Sequence, residues 1–239
     1  MAVNEPGRRQ IHITTLMVPV TYEAVLSLVP GFHTRPPTLP EPHDPAFPIP
    51  APPEGGYDFI LHVGVAGRGP LRMEKLGHKL GYGMKDAQGK LAPIVELTAS
   101  GGTAEITEAE RIERERLPVA SVDVSGDGGD QPVRGFGKGY EIFDEEIYTD
   151  IDVERLVAVM KESGYQIYTS MDAGHYLCDF IYYCSLAESR RTSCRQDKHE
   201  KGRGSQVLFL HCPPVHQPLS TQEVTEALKS IIVWVARGA

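Results

Sequence analysis

The sequence has few cysteines, no long apolar run and no excess of positive charge, and each of these shortages excludes a class of protein. Four cysteines among 239 residues are too few and too unevenly placed for a disulfide framework, so we expect reduced thiols. No apolar run is long enough to span a membrane, and the first ten residues lack the apolar core of a signal peptide. We therefore expect a cytoplasmic protein that does not enter a membrane.

Acidic residues outnumber basic ones, 32 to 24, which gives a formal net charge of −8. A protein that binds nucleic acid or an anionic membrane needs a basic surface, so we expect neither partner. Residues 104–154 carry fifteen acidic and five basic side chains, which places the acidity in one segment. A solvated loop with a polar helix surface is the ordinary interpretation of such a segment.

What the chain does contain is an alternation of apolar, β-branched runs with helical patterns. Strands are predicted at residues 10–18, 57–66, 165–170 and 206–211. Helices are predicted at residues 21–29 and 152–163, from 172–176 to about 187, and from a capping box at Ser220–Glu223 to the end. This order predicts an α/β fold with three layers, α/β/α, around an open, largely parallel or mixed sheet.

The whole chain, residues 1–239, is long enough for one such domain, but three segments add little to its core. Ten of the nineteen prolines lie between Pro30 and Pro53, so residues 30–56 are predicted to be an exposed insert. Residues 101–150 form an acidic, loop-rich segment, and residues 189–204 are predicted to be a polar, partly basic loop.

Three residues whose side chains could take part in catalysis follow predicted strands. In open α/β sheets the functional crevice lies beyond the carboxyl ends of the strands. Glu74 follows the strand at 57–66, Cys178 follows the strand at 165–170, and His211 ends the strand at 206–211. A carboxylate, a thiol and an imidazole are therefore expected on one rim, although the Glu74 segment is unremarkable as a helix start.

The four cysteines differ in their surroundings. Cys184 shares an apolar helical stripe and is interpreted as a core residue, whereas Cys178 lies just off that stripe. If the helix begins near residue 176, the Cys178 thiol lies in its first turn, where the helix dipole favours a thiolate. The alternatives stay open: Cys178 can be a small buried apolar residue, and His211 can be a structural histidine whose ring nitrogens have hydrogen-bond partners. Cys194 and Cys212 show no metal-ligand spacing, so no metal site is predicted.

Three segments resemble one known family. Ser170-Met-Asp-Ala-Gly-His-Tyr-Leu-Cys-Asp179 is similar to the nucleophile segment of the pyroglutamyl-peptidase I family. Leu208-Phe-Leu-His-Cys-Pro213 resembles the family's histidine strand, and residues 62–77 resemble the segment that carries its glutamate. The segments occur in the family's order, which implies a phosphorylase/hydrolase-like fold.

The resemblance implies a cysteine peptidase that removes an N-terminal pyroglutamyl residue from peptides. Cys178 would be the nucleophile, and His211 would be the general base and acid. Glu74 would orient the imidazole and stabilise its charged form. The resemblance implies no cofactor and no metal, and the oligomeric state is left open.

The sequence departs from the family pattern in two regions. Arg72 stands where the family has Ser or Thr, and Lys79 stands where it has Asn. The chain also begins with what resembles the family's second strand, without the first strand and the Gly-Phe-Gly-x-Phe turn that encloses the pyrrolidone ring. Gly135-Phe-Gly137 follows an acidic loop and is not a substitute. The alternatives are a catalytically impaired or silent relative, in a truncated form, with a binding or regulatory role, or a hydrolase of altered specificity.

Overall fold

The protein folds around a four-stranded mixed sheet with the strand order β1-β6-β2-β5. The computed structural model describes residues 10–42, 49–95, 132–196 and 204–238. Within these ranges, a separate antiparallel pair joins β3 to β4. The elements follow one another as α1 (Tyr22–Phe32), β1 (Phe59–Val65), β2 (Leu71–Glu74), β3 (Leu76–His78), β4 (Glu146–Tyr148), α2 (Val153–Glu162), β5 (Ile167–Ser170), α3 (Leu177–Gln196), β6 (Gln206–Cys212) and α4 (Thr221–Ala236).

Strand β6 is central to the sheet and buried along nearly its whole length. It pairs in parallel with β1 and antiparallel with β2, and β2 in turn pairs in parallel with β5. Val207 and Phe209 face one apolar cluster, whereas Leu208 and Leu210 face the other. A run of apolar residues without alternation is expected of a strand covered on both faces.

Helices cover both faces of the sheet. Helices α1 and α3 share the first apolar cluster with one face of β6, and helices α2 and α4 share the second cluster with the opposite face. The predicted three-layer α/β/α architecture with a mixed sheet is therefore confirmed.

The starts of three helices are encoded locally. Thr21 caps α1 by accepting from the Ala24 backbone N–H, and Asp152 caps α2 in the same way. The predicted capping box is present at α4, where the side chain of Ser220 accepts from the Glu223 N–H and the Glu223 carboxylate accepts from the Ser220 N–H. Such reciprocal bonds satisfy donors that have no partner inside the helix.

Two predictions for the N-terminal region are wrong. Residues 10–18 form no strand, and Ile13 of this run is exposed. A β-branched run becomes a strand only where another strand offers a ladder partner. Helix α1 also continues through Pro30 to Phe32, because Val29 and Phe32 are buried in the core cluster and their packing outweighs the missing N–H.

Two further predictions fail farther along the chain. Glu74 ends strand β2 and does not begin a helix. Helix α3 begins at Leu177 and runs to Gln196, beyond the predicted end near residue 187. The polar composition of residues 189–204 predicts a loop, but the ion pair of Arg191 with Glu188 at 3.0 Å supports helix in the described part of this segment.

The described residues of the proline-rich insert contain no strand, and no helix beyond the end of α1, while residues 43–48 of it lie outside the described residues. Residues 101–131 of the acidic segment also lie outside them. In the described part of the chain, every helix is too short or too polar to cross a bilayer.

Candidate active site

A buried imidazole and a buried carboxylate are hydrogen-bonded at the centre of the sheet. His211 Nδ1 lies 2.7 Å from Glu74 Oε1, and the two residues are 3% and 0% exposed. A carboxylate can only accept, so His211 donates through Nδ1 and its Nε2 carries the available lone pair. The pair therefore has the polarity of a general base that is oriented by a carboxylate.

The sheet register brings these two residues together. Strand β2 runs antiparallel to β6, with Arg72 opposite His211 and Glu74 opposite Phe209. Glu74 is thus the diagonal neighbour of His211 on the same face, a distance that a long side chain spans. The hydroxyl of Tyr182 donates to the Glu74 backbone carbonyl at 3.0 Å and ties this strand end to α3.

The thiol lies on the same face of the sheet. Cys178 is the second residue of α3, in its first turn. A Cβ built at Gly64 would lie 3.0 Å from Cys178 Sγ and 2.7 Å from the Phe209 ring. Because Gly64 is the register partner of His211, the thiol lies above the rung of the sheet that carries the imidazole. The structure thus brings Glu74 and His211 into contact and places Cys178 on the same face of the sheet. The reason differs from the expected one, because β2 and β5 run antiparallel to β6 and their carboxyl ends do not share a rim with that of β6.

The position of Cys178 favours an ionised thiol. The positive end of the helix dipole and the backbone N–H groups of a first turn stabilise a negative sulfur and can hold an oxyanion. Cys178 is partly exposed, whereas Cys184 and Cys212 are buried. Burial raises the pKa of Cys184 to about 12 and that of Cys212 to about 11. The structure therefore separates one candidate nucleophile from two inert thiols.

Comparison with curated proteins gives the same family as the motifs. The chain is 25% identical to mouse and human pyroglutamyl-peptidase 1 over 219 residues, which is 90% of this chain and 68% of each relative. It is 27% identical to the pyrrolidone-carboxylate peptidase of Bacillus subtilis over 160 residues, 60% of this chain and 64% of that protein. These matches confirm the resemblance of the chain to the pyroglutamyl-peptidase I family.

The chain was also compared with family models and with solved structures. No family model matches it. A variant of the pyrrolidone carboxyl peptidase of Pyrococcus furiosus superposes with a TM-score of 0.47 at 17% identity, covering 75% of this chain and 69% of that chain. The pyroglutamyl peptidase I of Bacillus amyloliquefaciens superposes with a TM-score of 0.43 at 19% identity, covering 74% of this chain and 64% of that chain.

The two departures from the family pattern have different surroundings. Arg72 Nε lies 4.0 Å from Glu74 Oε1, so a positive charge stands beside the carboxylate that bonds His211. Lys79 donates instead to the backbone carbonyl of Phe143 at 2.8 Å and so holds the segment before β4. Of the two, Arg72 is therefore the one that lies beside a predicted site residue.

A polar network beside Cys178 was missed by sequence reasoning. Asp179, fully buried, accepts from the backbone N–H of His78 at 3.2 Å and from the hydroxyl of Tyr82 at 2.9 Å. His78 Nδ1 lies 3.2 Å from each Asp179 oxygen. A signal existed in the sequence, because a charged residue directly after a predicted nucleophile on an apolar helix needs a buried partner.

Burial and pairing act in opposite directions within this network. Burial raises the pKa of the Asp179 carboxyl, and the bond with His78 offsets part of that rise. Burial also opposes the positive charge of His78, but the hydrogen bond and charge of Asp179, with smaller contributions from Asp172 and Glu146, raise the pKa of His78 above its usual value. The network ties the start of α3, and with it Cys178, to the end of β3.

Proposed function

We propose that this chain is a cysteine peptidase that cleaves the bond after an N-terminal pyroglutamyl residue. The observation that supports it best is the hydrogen bond between His211 and Glu74 beneath a thiol held at a helix start. The family's relatives that match 90% of the chain carry this activity in their names. The substrates are peptides with an N-terminal pyroglutamate.

The geometry supports a two-step mechanism. His211 Nε2 takes the thiol proton, and Cys178 Sγ attacks the carbonyl carbon that joins pyroglutamate to the next residue. Backbone N–H groups of the first turn of α3 stabilise the oxyanion. The imidazolium returns its proton to the leaving amine, and a thioester forms at Cys178. Water, deprotonated by His211, then releases pyroglutamate and the thiol.

Glu74 supports both steps without touching the substrate. Its carboxylate accepts from His211 Nδ1, which keeps Nε2 ready to receive a proton and stabilises the imidazolium that forms. Both residues are almost completely buried, so water screens this attraction little.

The test is turnover of a pyroglutamyl aminocoumarin by the purified chain. We expect coumarin release from the unmodified chain and none above background from Cys178→Ala. Glu74→Gln should lower kcat by roughly 10²–10⁴-fold with a smaller effect on KM, because it removes charge stabilisation of the imidazolium. Cys194→Ala is the matched control, since Cys194 is an exposed thiol of the same helix.

The control variant and a circular dichroism spectrum establish that each protein is folded. A folded, unmodified chain that releases no more coumarin than Cys178→Ala would contradict the proposal. That outcome would favour a catalytically silent relative that keeps the fold. The charge of Arg72 beside Glu74 would then be the structural feature associated with the lost activity.

A further inference from the structure

A second cluster of chemically capable side chains lies beside the nucleophile but outside the catalytic residues. His78 ends strand β3, His175 lies in the turn before α3, and Asp179 is the third residue of α3. One possible ligand atom from each of the three lies within 4.8 Å of the others. Neither histidine and neither carboxylate oxygen takes part in the proposed peptidase steps.

We propose that His78, His175 and Asp179 form a binding site for a divalent transition metal, of which Zn²⁺ is the best fit. Two imidazoles and one carboxylate are a donor set that zinc accepts, whereas magnesium and calcium prefer oxygen alone. Zinc bonds of about 2.0–2.2 Å place two ligand atoms of a tetrahedral ion roughly 3.3 Å apart. The His78–Asp179 separation of 3.2 Å already matches that spacing.

The third ligand needs only a small approach. With a limit of 4.8 Å on every separation in the cluster, closing to a tetrahedral spacing of about 3.3 Å moves the ligand atom of His175 by less than about 2 Å. The His175 ring already lies close to His78, with ring centroids 4.8 Å apart. Gly81 permits this position, since a Cβ there would lie 2.7 Å from His175 Nδ1.

Neighbouring groups orient these side chains as metal ligands are usually oriented. His175 Nδ1 lies 3.1 Å from the Leu80 carbonyl, which can only accept, so Nδ1 carries the proton and Nε2 presents a lone pair. The Tyr82 hydroxyl donates to Asp179 Oδ2 at 2.9 Å and holds the carboxylate. Ligands that are oriented by such outer hydrogen bonds bind metals more tightly.

The cluster is reachable from solvent, and it holds a proton that a bound ion would replace. The His78 side chain is 19% exposed, so an ion can reach the cluster from solvent, while Asp179 is fully buried. Binding replaces the proton of the His78–Asp179 hydrogen bond with the cation, and that proton leaves to solvent. The bound ion would connect β3, the turn and α3, and so stabilise the element that presents Cys178.

The binding test uses Zn²⁺ alone and the full chain carrying Cys178→Ser, so that zinc cannot bind the proposed nucleophile. We expect calorimetry to show one site, and the melting temperature to rise with zinc concentration. His175→Gln should weaken affinity by more than about tenfold, and Tyr82→Phe by about tenfold through the lost support of Asp179. His12→Gln is the matched control, because His12 is an exposed histidine far from the cluster in sequence.

A second measurement protects the test against misfolded variants. Co²⁺ added to the unmodified chain should give visible d–d bands typical of nitrogen and oxygen ligands, without a thiolate charge-transfer band in the near ultraviolet. No zinc binding by the folded Cys178→Ser chain would overturn the proposal. Equal weakening by His175→Gln and His12→Gln would also overturn it. Both outcomes are independent of peptidase turnover, so they leave the proposed function standing.

Discussion

Two cysteines of helix α3 show how position decides the chemistry of a residue. Cys184 is fully buried and its sulfur lies 3.4 Å from the Tyr140 hydroxyl. Cys178, six residues earlier, lies in the first turn next to Gly64 and is partly exposed. The apolar helical stripe assigned Cys184 to the core, and the structure places it there.

At neutral pH, iodoacetamide should alkylate Cys178 well before Cys184. A thiolate reacts and a thiol does not, and burial raises the pKa of Cys184 to about 12. The reaction is followed by mass spectrometry of tryptic peptides over time. Exposed Cys194 serves as the internal reference for an ordinary thiol. Alkylation of Cys184 at the same rate as Cys178 would show that the helix start does not favour the thiolate.

At the scale of elements, the site depends on a close approach between β1 and α3. Gly64 has no side chain, and that space is filled by Cys178 Sγ and the Phe209 ring. Phe209 also lies against His211, with ring centroids 4.7 Å apart. One added methyl group therefore presses on the thiol and on the ring that supports the imidazole.

Gly64→Ala should reduce kcat/KM roughly 10²-fold, because displacement of a reacting group by about 1 Å has effects of that size. The same substitution should lower the free energy of unfolding by about 1–3 kcal/mol through overpacking. Coumarin release and urea denaturation measure the two effects. Gly55→Ala is the matched control, since no atom lies within 4 Å of a Cβ there. Equal activity of the two variants would exclude the close approach.

At the scale of the whole molecule, the α1–α3 layer encloses two neutral histidines. Burial lowers the pKa of His62 to about 4. Burial and, to a smaller extent, the charge of His62 lower the pKa of His33 to about 3. His33 is held by Ser185 at 2.8 Å, while His62 stacks on Phe209. The folded state thus excludes two protons that the unfolded chain accepts.

The free energy of unfolding should therefore fall as the pH falls below about 6.5. Between that pH and the folded pKa values of about 4 and 3, the unfolded chain binds more protons. Each histidine contributes up to about 1.4 kcal/mol per pH unit. Urea denaturation at a series of pH values measures the slope.

His62→Phe should flatten this slope, because it removes one of the two proton-binding sites while keeping a ring beside Phe209. His12→Gln should leave the slope unchanged, since His12 is exposed. A slope that is identical in His62→Phe and in the unmodified chain would mean that His62 does not resist protonation in the folded state.

Much of this protein was predictable from local sequence. The apolar run of β6 predicts a strand covered on both faces, and the capping box at Ser220 predicts the start of α4. The order of strands and helices predicts that Glu74, Cys178 and His211 come close together, but not the antiparallel strand direction that brings Glu74 to His211. These predictions depend on periodicity and on neighbours a few residues apart, which the sequence displays directly.

Only the tertiary structure decided the rest, because it depends on contacts between distant segments. The antiparallel register of β2 with β6 brings Glu74 to His211, and no local pattern indicates that register. Packing carries α1 through Pro30 and leaves residues 10–18 without a strand partner. The contact between His78 and Asp179, which are 101 residues apart in the sequence, also depends on tertiary structure, since β3 meets the start of α3 only in the folded protein.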